Sequence, residues 1–315
     1  MNQPVLSALI PVVLLIAIGF GAGRRGWIGG EAVKGLSNLV FVVLTPALLF
    51  RTMSTVHVEQ LDFRPVGAYF LAGGVLALCM LVLLGFGRRG TVLALAGTYS
   101  NTVMIGIPLI GLAWGEAGLV TLFTLISLHS LVMLTAATVV LELAVSREQA
   151  RDPGQPPRAM AHTVLMAVRN AIIHPVPLPL VAGLAFAQTG WSLPAEVDKP
   201  LQLLGNAFGP LALLLVGVTL ALTGVGSHWR GALGLALVKN LLMPALVAAI
   251  GWAFSIPALP LAVMVVAASL PIGANVFLFS QRYQVAEELI TSSVAVSTGL
   301  GLVTISLVMW LVQGA

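Results

Sequence analysis

The sequence predicts an all-α integral membrane protein: ten transmembrane helices arranged as two five-helix inverted repeats, with broken helices at positions four and nine. Three observations carry this expectation. Hydrophobic residues make up 58% of the 315 and charged residues only 8%, whereas a soluble domain carries about 25% charged side chains. Ten apolar stretches are long enough to cross the hydrocarbon, which takes about 17–25 residues each. A set of rarer residues recurs about half a chain apart.

With charged clusters, Gly and Pro as punctuation, the spans are expected near residues 5–22, 33–51, 66–87, 91–112, 117–144, 171–188, 202–223, 231–254, 258–280 and 288–312. The opening Met1-Asn2-Gln3-Pro4 has no basic stretch, and no small-residue cleavage site follows, so the first apolar run is read as a permanent span. Pro46 punctuates span two and Pro210 span seven. Asn38 and Asn206 lie upstream of them, and both prolines are read as packing kinks lining one wall. Pro175, Pro177 and Pro179 crowd the start of span six. The segment 146–160, with three arginines and three prolines, is the one linker-like stretch. It divides the chain into a first repeat, 1–145, and a second, 161–315.

The repeat is read from matched residues. Gly19, Gly26, Trp27 and Pro46 recur 164 residues later as Gly183, Gly190, Trp191 and Pro210, and Glu31 and Lys34 recur at 165 as Glu196 and Lys199. A unit of five spans is odd, so consecutive units enter the membrane from opposite sides. Such inverted repeats are typical of secondary transporters, with the substrate site near the midplane. Eleven cations, Arg24, Arg25, Lys34, Arg88, Arg89, Arg147, Arg151, Arg158, Arg169, Arg230 and Arg282, fall in the odd-numbered links, against Arg51, Arg64 and Lys199 on the other face. The positive-inside rule then puts the odd links in the cytoplasm and both termini outside.

Spans four and nine hold the candidate site. Span four contains Ser100-Asn101-Thr102 and then Gly106-Ile107-Pro108. Span nine contains Ser269-Leu270-Pro271-Ile272-Gly273-Ala274-Asn275. Each is the fourth span of its half and joins Gly, Pro and an amide at mid-membrane depth. Proline removes a donor and clashes with the preceding turn, and an amide can satisfy the freed backbone. One such span alone fits an ordinary proline kink; the matched pair points to a ligand site. Gly106, Pro108 and Pro271 are the expected helix-breaking residues. Lys239, an ionisable group deep in span eight, is either a functional charge or a lysine snorkelling to the interface. His129 reads as an interior histidine. Glu116, Glu142, Glu287 and Glu288 sit at span ends as interfacial caps.

Other classes are excluded or set aside. The net charge of +4 reflects loop arginines rather than a nucleic-acid partner. A single cysteine, Cys79, rules out an intrachain disulfide or a cysteine metal cluster. Phosphate-loop, zinc-protease and nucleophile-elbow motifs do not occur, so no enzyme activity, metal or cofactor is expected.

These residues resemble the auxin efflux carrier (PIN-like) family, within the bile acid/sodium symporter fold group. The similarity runs along the whole chain. Thr45-Pro46-Ala47-Leu48-Leu49-Phe50, with Asn38 before it, resembles the second-helix motif. Asn101-Thr102 through Gly106-Ile107-Pro108-Leu109 and Gly115-Glu116 resembles the fourth, and Leu270-Pro271-Ile272-Gly273 through Phe277 and Gln281-Arg282-Tyr283 the ninth. Lys239, five residues before Pro244, falls where the family often has a cation, and His174-Pro175 fills the Asn-Pro slot of the sixth helix. Ser100 replaces the proline of plant members, which implies a softer break or one displaced toward Gly106. Asn275 is similar to bacterial members.

The resemblance implies a scaffold of spans one, two, six and seven that dimerises, and a mobile transport domain of the remaining six. Spans four and nine would cross at unwound midpoints. It implies small organic anions as substrates, such as auxin, malate or malonate, moved across the cell membrane by an elevator-like shift. Asn101, Thr102 and Asn275 would hydrogen-bond the anion, with Ser100, Pro271, Gly273 and Asn38 around it and Lys239 offsetting its charge. The sodium ligands of bile-acid-type relatives have no clear counterpart. Two alternatives stay open: a sodium- or proton-coupled carrier of the same fold, and a membrane receptor that binds an acid without moving it.

Overall fold

A computed structural model describes residues 3–57, 59, 61–149, 160–172, 176–224, 226 and 228–313. Residues 150–159 of the expected link, with Arg151 and Arg158, lie outside the described residues, as does His174-Pro175. Among the described residues the secondary structure is helical, with one isolated antiparallel bridge.

The first half comprises α1 (Gln3–Arg24), α2 (Gly30–Leu39), α3 (Thr45–Met53), α4 (Arg64–Leu84), α5 (Arg88–Thr98) and α6 (Ile107–Gln149). The second comprises α7 (Met160–Ile172), α8 (Pro177–Ala187), α9 (Ala195–Leu222), α10 (Trp229–Leu237), α11 (Met243–Ala253), α12 (Ala258–Ser269), α13 (Asn275–Arg282) and α14 (Glu287–Gln313). Among the described residues seven stretches are long and apolar enough to cross a membrane, and α8 and α12 are shorter apolar helices. The count differs from the ten spans read from sequence for identifiable reasons. The 47-residue stretch Thr102–Glu148 is two helices meeting at Gly115, whose φ 58°, ψ −146° is non-helical and is a conformation that glycine alone adopts readily, so the expected fourth and fifth spans join there. The sixth and ninth expected spans are represented by the short helices.

Three π-helical turns, Val40–Leu44, Thr102–Gly106 and Val238–Leu242, share one cause. Each ends two residues before a proline: Pro46, Pro108 and Pro244. A proline ring inside an α-helix collides with the carbonyl four residues back. Widening the turn relieves that collision, and the residue before each proline bonds five residues back: Thr45 to Val40, Ile107 to Thr102 and Met243 to Val238. Pro108 therefore widens a helix instead of breaking it.

Helix packing falls into two groups. α1 lies along α9, and α3 packs on α8 and α9. The α1–α9 approach depends on small residues: a side chain at Gly19 would strike the Leu214 carbonyl, and one at Gly217 the carbonyl of Ile16. In the second group α4 packs on α5 and α11, α10 on α14, and α12 on α6, α11 and α14. The outer surface is apolar, with Leu83 82% and Trp252 81% exposed. Trp27, Trp191, Trp229 and Trp310 are also exposed, as suits aromatic side chains at a lipid interface.

Candidate functional site

The two packing groups meet where the helical hydrogen-bond ladder fails twice. α5 ends at Thr98, and Tyr99 turns extended at φ −86°, ψ 115°. α12 ends at Ser269, and Leu270 turns extended at φ −60°, ψ 151°. Backbone groups freed at membrane depth must find partners, and each interruption supplies them to the other. The Asn101 N–H donates to the Pro271 carbonyl at 2.9 Å, and the Gly273 N–H to the Tyr99 carbonyl at 3.0 Å. Ser100 thereby pairs antiparallel with Ile272. Gly273 is required by space, since a Cβ there would lie 2.6 Å from the Tyr99 ring and 3.1 Å from the Ser100 carbonyl.

The two amides each commit one group to this crossing. Asn101 Oδ1 accepts the Met104 N–H at 3.3 Å, capping the helical segment that starts at Thr102. Asn275 Nδ2 donates to the Tyr99 hydroxyl at 2.9 Å. That leaves Asn101 Nδ2 and Asn275 Oδ1 without a hydrogen bond among the described residues. Both side chains are half-buried, whereas Ser100, Thr102, Pro271 and Gly273 are buried. The Ser100 hydroxyl lies 2.8 Å from that of Tyr69.

Lys239 does not snorkel. Its side chain is fully buried, and Nζ donates to the carbonyls of Ala268 at 2.5 Å and Leu270 at 2.8 Å. The ammonium thus caps the C-terminal end of α12, where the helix dipole is negative. Its neighbour Asn240 donates from Nδ2 to the Ser297 carbonyl at 2.8 Å and to Thr304 at 3.3 Å. Ser297 Oγ in turn accepts the Ile272 N–H at 3.1 Å. An apolar crevice lined by Leu9, Val12 and Ile16 of α1, with Ile105 and Leu109 opposite, reaches Pro271. Its space for water is about 10 Å³, room for about one molecule, so this face is closed against α1.

Several sequence expectations are corrected. The first interruption falls at Tyr99–Asn101, seven or more residues before Pro108 and not displaced toward Gly106. Gly106 closes the π turn, with Leu270 so near that a Cβ would lie 2.8 Å from its Cδ1. Asn38 is exposed on α2, which packs on α9, and it has no part in the hydrogen bonds of the crossing. Glu142 is no interfacial cap: it is buried and accepts the Tyr283 hydroxyl at 2.8 Å. Sequence reasoning missed Tyr69, Tyr99, Asn240 and Ser297. One signal was available. The chain has only three tyrosines, and all are buried with bonded hydroxyls, since a phenol in an apolar interior needs a partner.

Apolar helices around two paired interruptions fit a membrane transporter, and the comparison with known families gives that class. Residues 4–309 match the membrane transport protein family, and the chain belongs to that family, which includes the auxin efflux carriers. Among its relatives, a Rhizobium meliloti protein named "Putative malonate transporter" is 28% identical over 98% of this chain and 96% of its own. Auxin efflux carrier component 8 of Arabidopsis thaliana is 23% identical over 92% of each chain. The uncharacterized transporter YfdV of Escherichia coli is 22% identical over 93% of this chain and 92% of its own.

Proposed function

We propose that the chain is a secondary carrier of small carboxylates in the cell membrane, working by an elevator-type alternating access. The observation that carries this reading is the pair of half-committed amides, Asn101 and Asn275, at the crossing of two interrupted helices. Each amide lies at the start of a helical segment, where unpaired N–H groups favour an anion. In this reading Asn101 Nδ2 and Thr102 bind the carboxylate. Ser100, Pro271 and Gly273 shape the crossing, and Lys239 offsets the anion's charge through the end of α12. The relatives' names, malonate transporter and auxin efflux carrier, support carboxylates as the substrate class.

The packing groups support a scaffold of α1–α3, α8 and α9 and a mobile body of α4–α6 and α10–α14. A rigid shift between them would open the closed face at Pro271. Ten spans in two inverted repeats are supported by Gly26 and Gly190, which share φ +71°, and by Gly183, which faces the Phe50 carbonyl as Gly19 faces that of Leu214. Two copies pair through the scaffold in this reading. The Lys239 ammonium, bonded to the Ala268 and Leu270 carbonyls, is then a fixed charge of the mobile body, and the membrane potential rather than a coupling ion drives export. An inside-negative potential favours anion export by about 2.3 kcal/mol per charge per 100 mV.

Thermal shift of the purified protein against mono- and dicarboxylates, followed by counterflow in proteoliposomes, tests this reading. Carboxylate-dependent stabilisation with flux unaffected by a sodium or proton gradient is the expected result. Gradient-driven flux would favour a coupled carrier, and binding without flux a receptor.

A further inference from the structure

We propose that His129 is a positioning residue that holds both interruptions in register through two tyrosines. His129 lies on α6, 1% exposed, and makes two different contacts. Its Nε2 is 3.3 Å from the Tyr69 hydroxyl, which is 2.8 Å from Ser100 Oγ in the first interruption. Its ring stacks on that of Tyr99, with centroids 4.6 Å apart and planes at 28°. The Tyr99 hydroxyl accepts from Asn275 Nδ2 at 2.9 Å and lies 2.8 Å from Ser130 Oγ. One imidazole therefore braces Ser100 through a hydrogen bond and Asn275 through a stacked ring.

The residue type fits both tasks. Phenylalanine would keep the stack and lose the bond to Tyr69; glutamine would keep a polar atom and lose the stack. The hydrogen bond and ring contacts of His129 among the described residues go to Tyr69 and Tyr99, so its effect passes through the tyrosines. This inference rests on the proposed reading of Asn275 as a ligand-facing side chain, and it concerns how that side chain is aimed.

A double-mutant cycle tests it. Counterflow of malonate and of indole-3-acetate is measured for wild type, His129→Phe, His129→Gln, Asn275→Ala and each His129 variant combined with Asn275→Ala. Each single His129 variant is expected to raise the apparent KM about three- to tenfold, the range of one lost hydrogen bond, with Vmax changed less than about twofold. His129→Gln combined with Asn275→Ala is expected to be no worse than Asn275→Ala alone, since the Tyr99 hydroxyl that the stack holds acts on the ligand-facing amide through its bond to Asn275. Multiplying fold-changes in that pair would overturn the inference while leaving the carrier reading intact, because a merely structural histidine acts independently of Asn275. A loss of Vmax alone would overturn it as well. If His129→Phe is not monodisperse in detergent, the Gln arm of the cycle decides. Wild-type protein that neither moves nor is stabilised by either acid defeats the carrier reading, and this inference with it.

Discussion

The amide of Asn275 donates to the hydroxyl of Tyr99 at 2.9 Å, joining residues 176 positions apart. Together with the backbone pairs Asn101–Pro271 and Gly273–Tyr99, it makes each interruption the structural partner of the other. Each half satisfies part of its own broken helix, through Asn101 in the first and Lys239 and Ser297 in the second, and takes the remaining backbone partners from the other half. The crossing is thus a shared element, and in the proposed reading its half-buried amide groups bind a ligand without leaving buried backbone unpaired.

Replacing Asn101 or Asn275 with Ala removes one protein hydrogen bond and one free polar group. A cost of about 1–3 kcal/mol to ligand binding is expected. Aspartate at either position is expected to be worse, because a carboxylate competes for the helix start and repels an anion. Transport measured beside detergent monodispersity checks the order wild type, Ala, Asp. Normal transport by both Ala variants would place the site elsewhere.

Gly273→Ala removes no hydrogen-bonding side-chain group but drives a methyl into the Tyr99 ring. The ring must shift, and with it the Asn275 amide. Transport is expected to fall at least tenfold, with the protein still extracted as a single species. Full activity in this variant would mean that the crossing tolerates more space than its geometry allows.

Lys239→Met deletes the cap on the Ala268 and Leu270 carbonyls. Losing a buried charge together with its polar head can be neutral, but here two acceptors are left unpaired. A lower melting temperature and weaker carboxylate binding are expected together. Stability lost with affinity unchanged would restrict Lys239 to capping.

Arg51 grips Asp198 through Nε at 2.7 Å and Nη2 at 3.1 Å, tying the end of α3 to the start of α9. The pair is about one-third exposed, so solvent screens it. Arg51→Asp is expected to lower the melting temperature slightly, and the exchanged pair Arg51→Asp with Asp198→Arg to recover it. Failure of the exchange to recover it would assign the loss to packing of the arginine stem.

Topology is tested by labelling a Cys79→Ser protein. A cysteine at Ser192 is expected to react with an impermeant reagent from outside, and one at Arg151 only after permeabilisation. The reverse pattern would invert the orientation drawn from the cation count.

Membrane class, helical content and the two places where helices fail were legible in the sequence, because each rests on composition or on Gly, Pro and Asn within an apolar run. The transporter class and the family followed from those local patterns. Pro271 was legible as the breaker of the second, since α12 ends two residues before it, but the residue at which the first failure occurs was not legible. Pro108 looked like a breaker, yet the chain absorbs it in a π turn and opens at Tyr99 instead, where Asn101 and Gly273 find carbonyl partners on the opposite strand. Lys239 could be recognised as an anomalous charge, but its partners lie about thirty residues away on α12. Asn240, Ser297, Tyr69 and His129 gained their roles in the same way. Local propensity settles what one helix can do alone. Which buried polar groups pair across helices depends on distances that exist only once the chain has packed.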